Sequence, residues 1–277
     1  MALPSCATPL ERTTYWGVRC FTVVVMLFLV VPILAVFPLS FTAGQLLVFP
    51  LPGWSLQWYE DFLTNALWTG ALLNSIIIGL AATALATVLG TTAALGLHGS
   101  EFRLKPLVVG MLCAPLAVPV VITAVASFYF MATLSLVGTY TGLILIHTVL
   151  AMPFVVITVT ATLQGFDGNL SRAAASLGAP PRHAFLTVTL PLIFPGVLSG
   201  AVFAFVTSFD ELVVALFLAS PEQRTLPRQI FSGVSENVSP TVVAAAVVLA
   251  VVSMVLMAFM EWLRRRGDRL RAGSSTK

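Results

Sequence analysis

Two adjacent carboxylates, Asp210 and Glu211, interrupt a long apolar stretch of this 277-residue chain. A carboxylate at the centre of a bilayer costs at least about 2.5 kcal/mol on insertion scales, so such groups normally face a cavity or a partner group. Neighbours in a helix point about 100° apart, which predicts that one carboxylate lines a pathway and the other meets a partner. We expect Asp210, with Phe209 and Glu211 beside it, to attract a cationic solute, because ammonium groups pair with carboxylates. The alternative is that both carboxylates lie near water and cap the helix.

A membrane-embedded enzyme is one rival interpretation, since His147 and Ser199 both lie in apolar stretches. Ser199 falls in a G-x-x-S-G pattern, which differs from the serine-hydrolase signatures. An aspartyl mechanism needs two carboxylates that share one site, and these stretches hold a single acidic cluster. The sequence has no H-E-x-x-H zinc motif, and no two of its three cysteines have metal-ligand spacing. We therefore expect no catalytic residue and no metal, and interpret His147 as a hydrogen-bonding partner of a neighbouring helix.

The composition predicts a membrane protein. The chain is 58% hydrophobic and 9% charged, whereas soluble domains carry about 25% charged residues. Its apolar runs are long and unbroken, which favours helices of about 20 residues over barrel strands of about 10 alternating residues. The predicted class is an all-α integral membrane protein with six spans. They cover residues 18–39, 67–97, 107–134, 142–163, 184–219 and 240–263.

The basic residues predict the orientation. Twelve of the 14 Lys and Arg residues fall in the N-terminus, the second and fourth loops and the C-terminal tail, and only Arg224 and Arg228 lie on the other side. The positive-inside rule therefore predicts that both termini are cytoplasmic. The first loop on the outer side, residues 40–63, contains Trp54, Trp58 and Tyr59. Such aromatic residues prefer the headgroup level, which predicts a short helix in the outer interface.

Prolines interrupt two of the predicted spans. Pro115 and Pro119 lie in the third, and Pro191 and Pro195 lie in the fifth. Proline removes one backbone hydrogen bond and clashes with the preceding turn, a defect that membrane helices tolerate where neighbours or a cavity satisfy the backbone. The prolines are interpreted either as kinks for packing or as hinges beside a pathway. The fifth stretch is longer than one crossing, which we attribute to tilt or to helix that continues past the membrane face.

The fourth loop holds an Ala-rich segment, residues 171–181. We expect a short helix that stops at Gly178, since helices commonly end at glycine, and the two following prolines prevent its continuation. A second helix then begins and carries Pro191. Because alanines let another backbone come close, this segment is suited to fill a groove on a cytoplasmic partner.

This segment resembles the EAA loop of binding-protein-dependent ABC transporter permeases. The family pattern is Glu-Ala-Ala, three residues, Gly, nine residues, then Ile-x-Leu-Pro. The residues that fall on the pattern, or flank its glycine, are Ala173, Ala174, Leu177, Gly178, Ala179, Leu190 and Pro191. Val188 replaces the isoleucine conservatively, and Arg172 stands where the family usually has glutamate, so a charge is reversed.

Other segments are similar to the spermidine/putrescine-type branch of that family, and most of all to its second permease subunit. These segments are Asn74-Ser75, Trp58-Tyr59, Ser208-Phe209-Asp210-Glu211 and Thr225-Leu226-Pro227. The resemblance implies a type I importer permease of the MetI-like fold in a bacterial inner membrane. Its implied substrate is a small cationic solute, most of all a polyamine such as spermidine or putrescine.

The resemblance also implies partners. A homologous second permease completes the pathway, two copies of an ATPase bind the EAA loops, and a periplasmic binding protein delivers the substrate. This chain has no G-x-x-x-x-G-K-[ST] phosphate loop, so we expect no cofactor here, with Mg-ATP on the ATPase. We expect the lipid bilayer as its solvent and no nucleic-acid partner.

The predicted layout is one permease domain, residues 1–277. Residues 1–66 form the first span and outer helix, 67–264 a five-helix core and 265–277 a basic cytoplasmic tail. Two alternatives remain open. One is the same importer class for a different small solute. The other is a secondary transporter that uses Asp210 and Glu211 as a proton relay, which would need no ATPase and no docking loop.

Overall fold

The computed structural model describes residues 8–236 and 239–274. These residues contain no strand, only an isolated antiparallel bridge between Thr42 and Trp54. The helices are α1 (Pro9–Ser40), α2 (Gln57–Thr64), α3 (Ala66–His98), α4 (Lys105–Ala117), α5 (Val120–Thr133), α6 (Tyr140–Gln164), α7 (Asn169–Ser176), α8 (Pro181–Ala184), α9 (Leu190–Phe209), α10 (Val213–Leu218), α11 (Leu226–Glu236) and α12 (Pro240–Ser274). The predicted all-α class is confirmed.

Five segments of the described chain are long and apolar enough to cross a membrane, and a sixth exists if the bent pair α4 and α5 is counted as one span. The five are Arg12–Ser40, Ala66–His98, Tyr140–Gln164, Pro181–Phe209 and Pro240–Trp262. The predicted number of six therefore depends on the bent pair, which occupies the place of the third predicted span.

The third predicted span is broken rather than continuous. Helices α4 and α5 meet at an angle of 105°, and the residues between them, Val118 and Pro119, have extended backbone. Proline disfavours helical backbone at the residue before it and cannot donate a backbone hydrogen bond. Pro115 nevertheless remains inside α4. Of the two prolines in this stretch, only Pro119 produces a break.

The fifth predicted span, residues 184–219, is also divided. A continuous helical segment runs over Pro181–Phe209, and a three-residue break then precedes the short helix α10. The expectation that the excess length reflects tilt or continued helix was wrong at this end. The chain leaves the helix at Asp210 and starts another at Val213.

Small residues hold α3, α6 and α9 together at the centre of the bundle. A Cβ atom added at Gly90 of α3 would lie 2.8 Å from Val155 Cβ of α6. A Cβ added at Gly200 of α9 would lie 2.5 Å from Thr158 Oγ1, and one at Gly196 would clash with Thr162 Oγ1. Membrane helices commonly associate through such small residues because their backbones approach closely.

The predicted short helix between the first two spans is confirmed as α2. Trp58 donates its Nε1–H to the carbonyl of Thr42 over 2.8 Å, and the hydroxyls of Tyr59 and Ser40 lie 2.7 Å apart. These bonds tie α2 to the end of α1. Helix α1 itself is exposed along its apolar length and packs within this chain chiefly on α12.

The bundle has two ends of opposite charge. The acidic end contains α2, α10, α11 and the adjoining helix termini, with six of the 11 acidic residues and only Arg224 and Arg228 as bases. The basic end contains the α3–α4 connection, α7 and α8. These names are used below for the two ends.

Candidate sites at the two ends of the fifth span

The break after α9 places Asp210 and Glu211 at the acidic end, outside regular helix. The backbone N–H of Asp210 makes the last helical bond of this segment, to the carbonyl of Val206 over 3.0 Å. Neither carboxylate is carried on a helical surface, so the 100° separation expected of helical neighbours does not determine their directions. The backbone of the break decides where each side chain lies.

Glu211 caps the short helix that follows the break. Its side chain is 7% exposed. Oε1 accepts from the backbone N–H of Val214 over 2.9 Å, and Oε2 accepts from that of Ala215 over 3.2 Å. A carboxylate in this position satisfies N–H groups that have no helical partner and interacts favourably with the positive end of the helix dipole. Glu211 therefore holds α10 in place.

His147 connects this cap to the middle of the bundle. Its ring is buried, with Nδ1 2.7 Å from Ser208 Oγ of α9 and Nε2 3.9 Å from Glu211 Oε2. The prediction that His147 hydrogen-bonds a neighbouring helix is confirmed. Ser199 instead donates to the carbonyl of Pro195 over 2.8 Å, so it does not form the pair with His147 that a serine-histidine mechanism requires.

Asp210 and Phe209 lie in different environments. The Asp210 side chain is exposed. Phe209 is 2% exposed and stacks on Phe205 with ring centroids 5.4 Å apart, within an apolar cluster that also contains Trp68 and Leu226. Of the three residues expected on a pathway, Asp210 is the one whose polar atoms are presented at the surface of this chain.

Asn74 fixes the loop that follows α10. Its amide nitrogen donates to the carbonyls of Glu222 over 2.9 Å and Arg224 over 3.0 Å. Its amide oxygen accepts from the hydroxyl of Tyr140 over 2.6 Å. The neighbouring Ser75 hydroxyl accepts from the backbone N–H of Leu226 over 2.8 Å. The loop is thus clamped against the first turns of α3 and α6.

Both arginines of the acidic end take part in this structure. Arg228 donates to the carbonyls of Ala219 and Ser220 at the end of α10, and Arg224 donates to the side-chain oxygen of Gln229 over 2.9 Å. Burial, and then the nearby charge of Arg224, lower the pKa of Arg228 from its usual value. Glu211 and Arg228 together place opposite charges at the two ends of α10, each matching the helix dipole.

At the basic end, α7 ends as the sequence predicts. The N–H of Gly178 bonds to the carbonyl of Ala175 over 3.0 Å, and the N–H of Ala179 bonds to that of Ala174 over 3.1 Å. Gly178 has φ +84°, the left-handed conformation that such a Schellman motif requires and glycine adopts without penalty. Gly178 is therefore a helix stop that also sets the direction of the next residues.

The tip of this segment projects away from the bundle. Leu177 is 89% exposed, and Arg172, Ala173 and Ala175 are exposed as well. On the opposite side, Ser171 contacts Thr189 through hydroxyls 3.3 Å apart. The predicted coupling residues of α7 thus form a protruding surface that is attached to the start of the fifth span.

A π-helical turn, Phe185–Thr189, joins α8 to α9. The N–H of Leu190 bonds to the carbonyl of Phe185, five residues earlier. Pro191 follows and has no N–H to donate to the preceding turn, so a widened turn before it accommodates the missing bond. The predicted second helix that carries Pro191 is confirmed, because Leu190 and Pro191 lie inside one continuous helical segment, Pro181–Phe209.

Sequence reasoning missed the clamp at Asn74 and the caps of α10. The available signal was the presence of Asn and Ser in the first turns of an apolar span, because buried polar side chains require partners. Their partners, Tyr140, Glu222 and Leu226, are 66 or more residues away. Nothing in the local sequence of Asn74 identifies them.

The chain belongs to an inner-membrane transport family. Residues 86–269 match the family described as "Binding-protein-dependent transport system inner membrane component". The protein is therefore a multi-pass permease subunit of an ABC importer.

Curated relatives cover nearly the whole chain. It is 31% identical to the spermidine/putrescine transport system permease protein PotC of Haemophilus influenzae, over 90% of this chain and 97% of PotC. It is 34% identical to the putrescine transport system permease protein PotI of Escherichia coli, over 88% of this chain and 89% of PotI. It is also 30% identical to the trehalose transport system permease protein SugB of Mycobacterium tuberculosis, over 89% of this chain and 92% of SugB.

A solved structure shares the fold. A chain of a bacterial ABC transporter that imports the acidic polysaccharide alginate superposes with a TM-score of 0.69 at 14% identity, over 95% of this chain and 99% of the other. The predicted ABC importer permease fold is thereby confirmed.

Proposed function

We propose that this chain forms half of the translocation pathway for a small cationic solute, most of all a polyamine such as spermidine or putrescine. The observation that carries the proposal is the exposed carboxylate of Asp210, held on a fixed break at the acidic end. Among the described residues no contact neutralises the Asp210 carboxylate, because the two arginines of the acidic end, Arg224 and Arg228, bond elsewhere. The names of PotC and PotI support the same solute class.

The orientation follows from the two charged ends. The positive-inside rule assigns the basic end to the cytoplasm, so both termini are cytoplasmic and the acidic end faces the periplasm. Asp210 then lies where a solute arrives from a periplasmic binding protein. The clamped loop after α10 supports that role, since a docking surface for another protein benefits from a fixed backbone.

The remaining partners follow from the exposed surfaces. Within this chain α1 packs chiefly on α12, and its apolar side chains remain exposed. This exposed apolar surface of α1 is available to a homologous second permease. The protruding α7 docks into an ATPase subunit, of which two copies bind and hydrolyse Mg-ATP for the transporter. Their closure rocks the helical bundles so that access alternates between the two sides.

Uptake by the Asp210→Asn variant tests the substrate proposal. The full transporter, in proteoliposomes that contain ATP, is supplied with labelled spermidine and the binding protein. Asn has nearly the same size but no charge, so we expect uptake to fall about tenfold, the equivalent of roughly 1.4 kcal/mol for one lost ionic contact. Unchanged uptake would contradict the role of Asp210.

The matched control is Glu60→Gln, which neutralises an exposed carboxylate of α2 at the same end. It is expected to transport at the wild-type rate. The energy source is tested in the same preparation: vanadate, which traps the ATPase, should stop uptake, and a protonophore should not. Inhibition by the protonophore alone would favour a secondary transporter.

A different small solute is the second candidate, because SugB is named for trehalose transport. Family membership therefore does not fix the solute. Thermal-shift screening of the cognate binding protein against polyamines and sugars separates the candidates. Stabilisation by sugars alone would assign an uncharged solute and leave Asp210 without a solute role.

A further inference from the structure

The surface around α7 is positively charged. Arg172 lies on α7, and Arg182 and His183 follow on α8, all with exposed side chains. Among residues 167–183 the sole acidic side chain is Asp167, whose Oδ1 accepts the backbone N–H of Asn169 over 2.9 Å. This carboxylate lies before the start of α7, whereas Arg172 lies on α7 and Arg182 follows it on α8.

Arg172 is on the outward side of α7. The inward side contacts the fifth span through Ser171 and is half-buried at Ala174. Arg172 shares the outward side with Ala173 and Ser176, whose hydroxyl donates to the Arg172 carbonyl over 3.0 Å. No ion pair within the described chain engages the guanidinium, so its charge is directed to whatever contacts α7.

The shape of α7 favours a protein partner over a lipid surface. The helix has eight residues, and its three consecutive alanines and two exposed leucines, Leu170 and Leu177, offer little apolar area to a bilayer. Amphipathic helices that lie in a membrane interface instead carry extended apolar faces with large side chains. A groove that admits a narrow helix and the projecting Leu177 side chain fits this surface better.

We propose that the ATPase groove that receives α7 presents a carboxylate opposite Arg172. This inference rests on the proposed docking of α7 to an ATPase. Arg prefers carboxylates because its planar fork donates two parallel hydrogen bonds. A basic groove would instead meet a like charge at this point, which is costly in an interface. At this contact the permease supplies the positive charge, whereas family members whose loops carry glutamate supply a negative charge there.

The test measures how tightly the ATPase is retained by the purified two-permease complex in nanodiscs, over a range of salt concentrations. Arg172→Glu is expected to weaken ATPase binding about tenfold at low salt, the scale of a close charge pair at an interface. Arg172→Lys should retain more ATPase binding than Arg172→Glu but less than the wild type, because it keeps the charge and loses the planar fork, and the wild-type affinity should fall as salt screens the pair.

Two further variants separate this contact from a general loss of charge. Arg103→Glu reverses an exposed charge in the α3–α4 connection of the same end and should leave retention unchanged. Introducing Lys at the matching carboxylate of the ATPase should restore binding to Arg172→Glu. This rescue excludes misfolding as the cause of weak retention.

Three results would overturn the inference. ATPase binding by Arg172→Glu that is as tight as, or tighter than, the wild type would show a basic or neutral groove. A loss of co-purified phosphatidylglycerol with unchanged ATPase retention would show that Arg172 contacts lipid headgroups. Failure of the wild-type complex to retain the ATPase at any salt concentration would overturn the proposed docking together with this inference. That outcome is distinguishable from failure of the charge pair alone, in which the wild-type complex still retains the ATPase.

Discussion

The two ends of the fifth span are built differently. At the acidic end, the ring of His147 and the amide of Asn74 are buried and bonded to groups on distant segments, and the buried carboxylate of Glu211 caps the helix that follows it. At the basic end, α7 is attached through its own backbone bonds and the contact between Ser171 and Thr189. One end is fixed by tertiary contacts, and the other exposes its side chains.

This difference is explained by the helix that joins them. Gly196 and Gly200 place α9 in direct contact with Thr162 and Thr158 of α6, so the middle of the span is closely packed. We therefore expect a displacement at α7 to reach the acidic end as movement of a rigid unit, because closely packed interiors deform little. The following predictions test this description, from the largest expected effect to the smallest.

The largest effect is expected from Gly196→Val, which breaks the connection between the two ends. The added side chain meets the Thr162 side chain and the Thr158 carbonyl, and overpacking of this kind typically costs about 1–3 kcal/mol or more. We expect a severe loss of monodisperse protein in size-exclusion chromatography after detergent extraction. Gly96→Val is the control, because an added Cβ at Gly96 meets nothing within 4 Å. Equal yields of the two variants would show that α6 and α9 are not closely packed at Gly196.

The next effect concerns the fixed end. Asn74→Leu removes the donor that serves two carbonyls, and each buried unsatisfied group costs about 1–3 kcal/mol. We expect a clear drop in melting temperature, measured by intrinsic fluorescence. Tyr140→Phe removes only the hydroxyl that donates to Asn74 and should have a smaller effect. A larger loss from Tyr140→Phe than from Asn74→Leu would contradict the clamp.

The neighbouring carboxylates are predicted to separate stability from transport. Glu211→Gln should lower the free energy of unfolding by about 1 kcal/mol, since it weakens a charged helix cap. Asp210→Asn should change stability by less than about 0.5 kcal/mol, as expected of an exposed position, while reducing uptake. Thermal melts and uptake assays on both variants check this. Equal stability losses from the two would contradict the division of roles.

The smallest effect on the melting temperature is expected at the basic end. Gly178→Ala places a Cβ on a residue with φ +84°, which costs about 1–2 kcal/mol in a left-handed conformation. The strain is local, so we expect faster hydrogen exchange of the α7 amides and weaker ATPase stimulation, with little change in the melting temperature. Gly168→Ala is the control, with φ −60° at the start of the same helix. If both variants exchange alike, the glycine stop is not required.

The sequence was sufficient for features that depend on local composition. Apolar length identified the spans, because a bilayer requires long apolar helices. The position of Gly178 after an Ala-rich run indicated the end of α7, since a glycine stop is a local backbone property. The break between α4 and α5 was predicted only in part. The sequence marks this stretch with two prolines, but Pro115 carries the same signal as Pro119 and remains helical.

Only the tertiary structure decided what the polar residues of the acidic end do. Asp210 and Glu211 are adjacent and chemically alike, yet one is exposed and the other caps α10. Their difference comes from the break after Phe209, which directs the Glu211 carboxylate onto the N–H groups of α10. His147 of α6, 64 residues before Glu211 in the sequence, lies 3.9 Å from that carboxylate. A sequence records which carboxylates a chain has. The directions in which they point depend on backbone breaks and on long-range packing. The free energies of that packing come from contacts between residues that are far apart in the sequence.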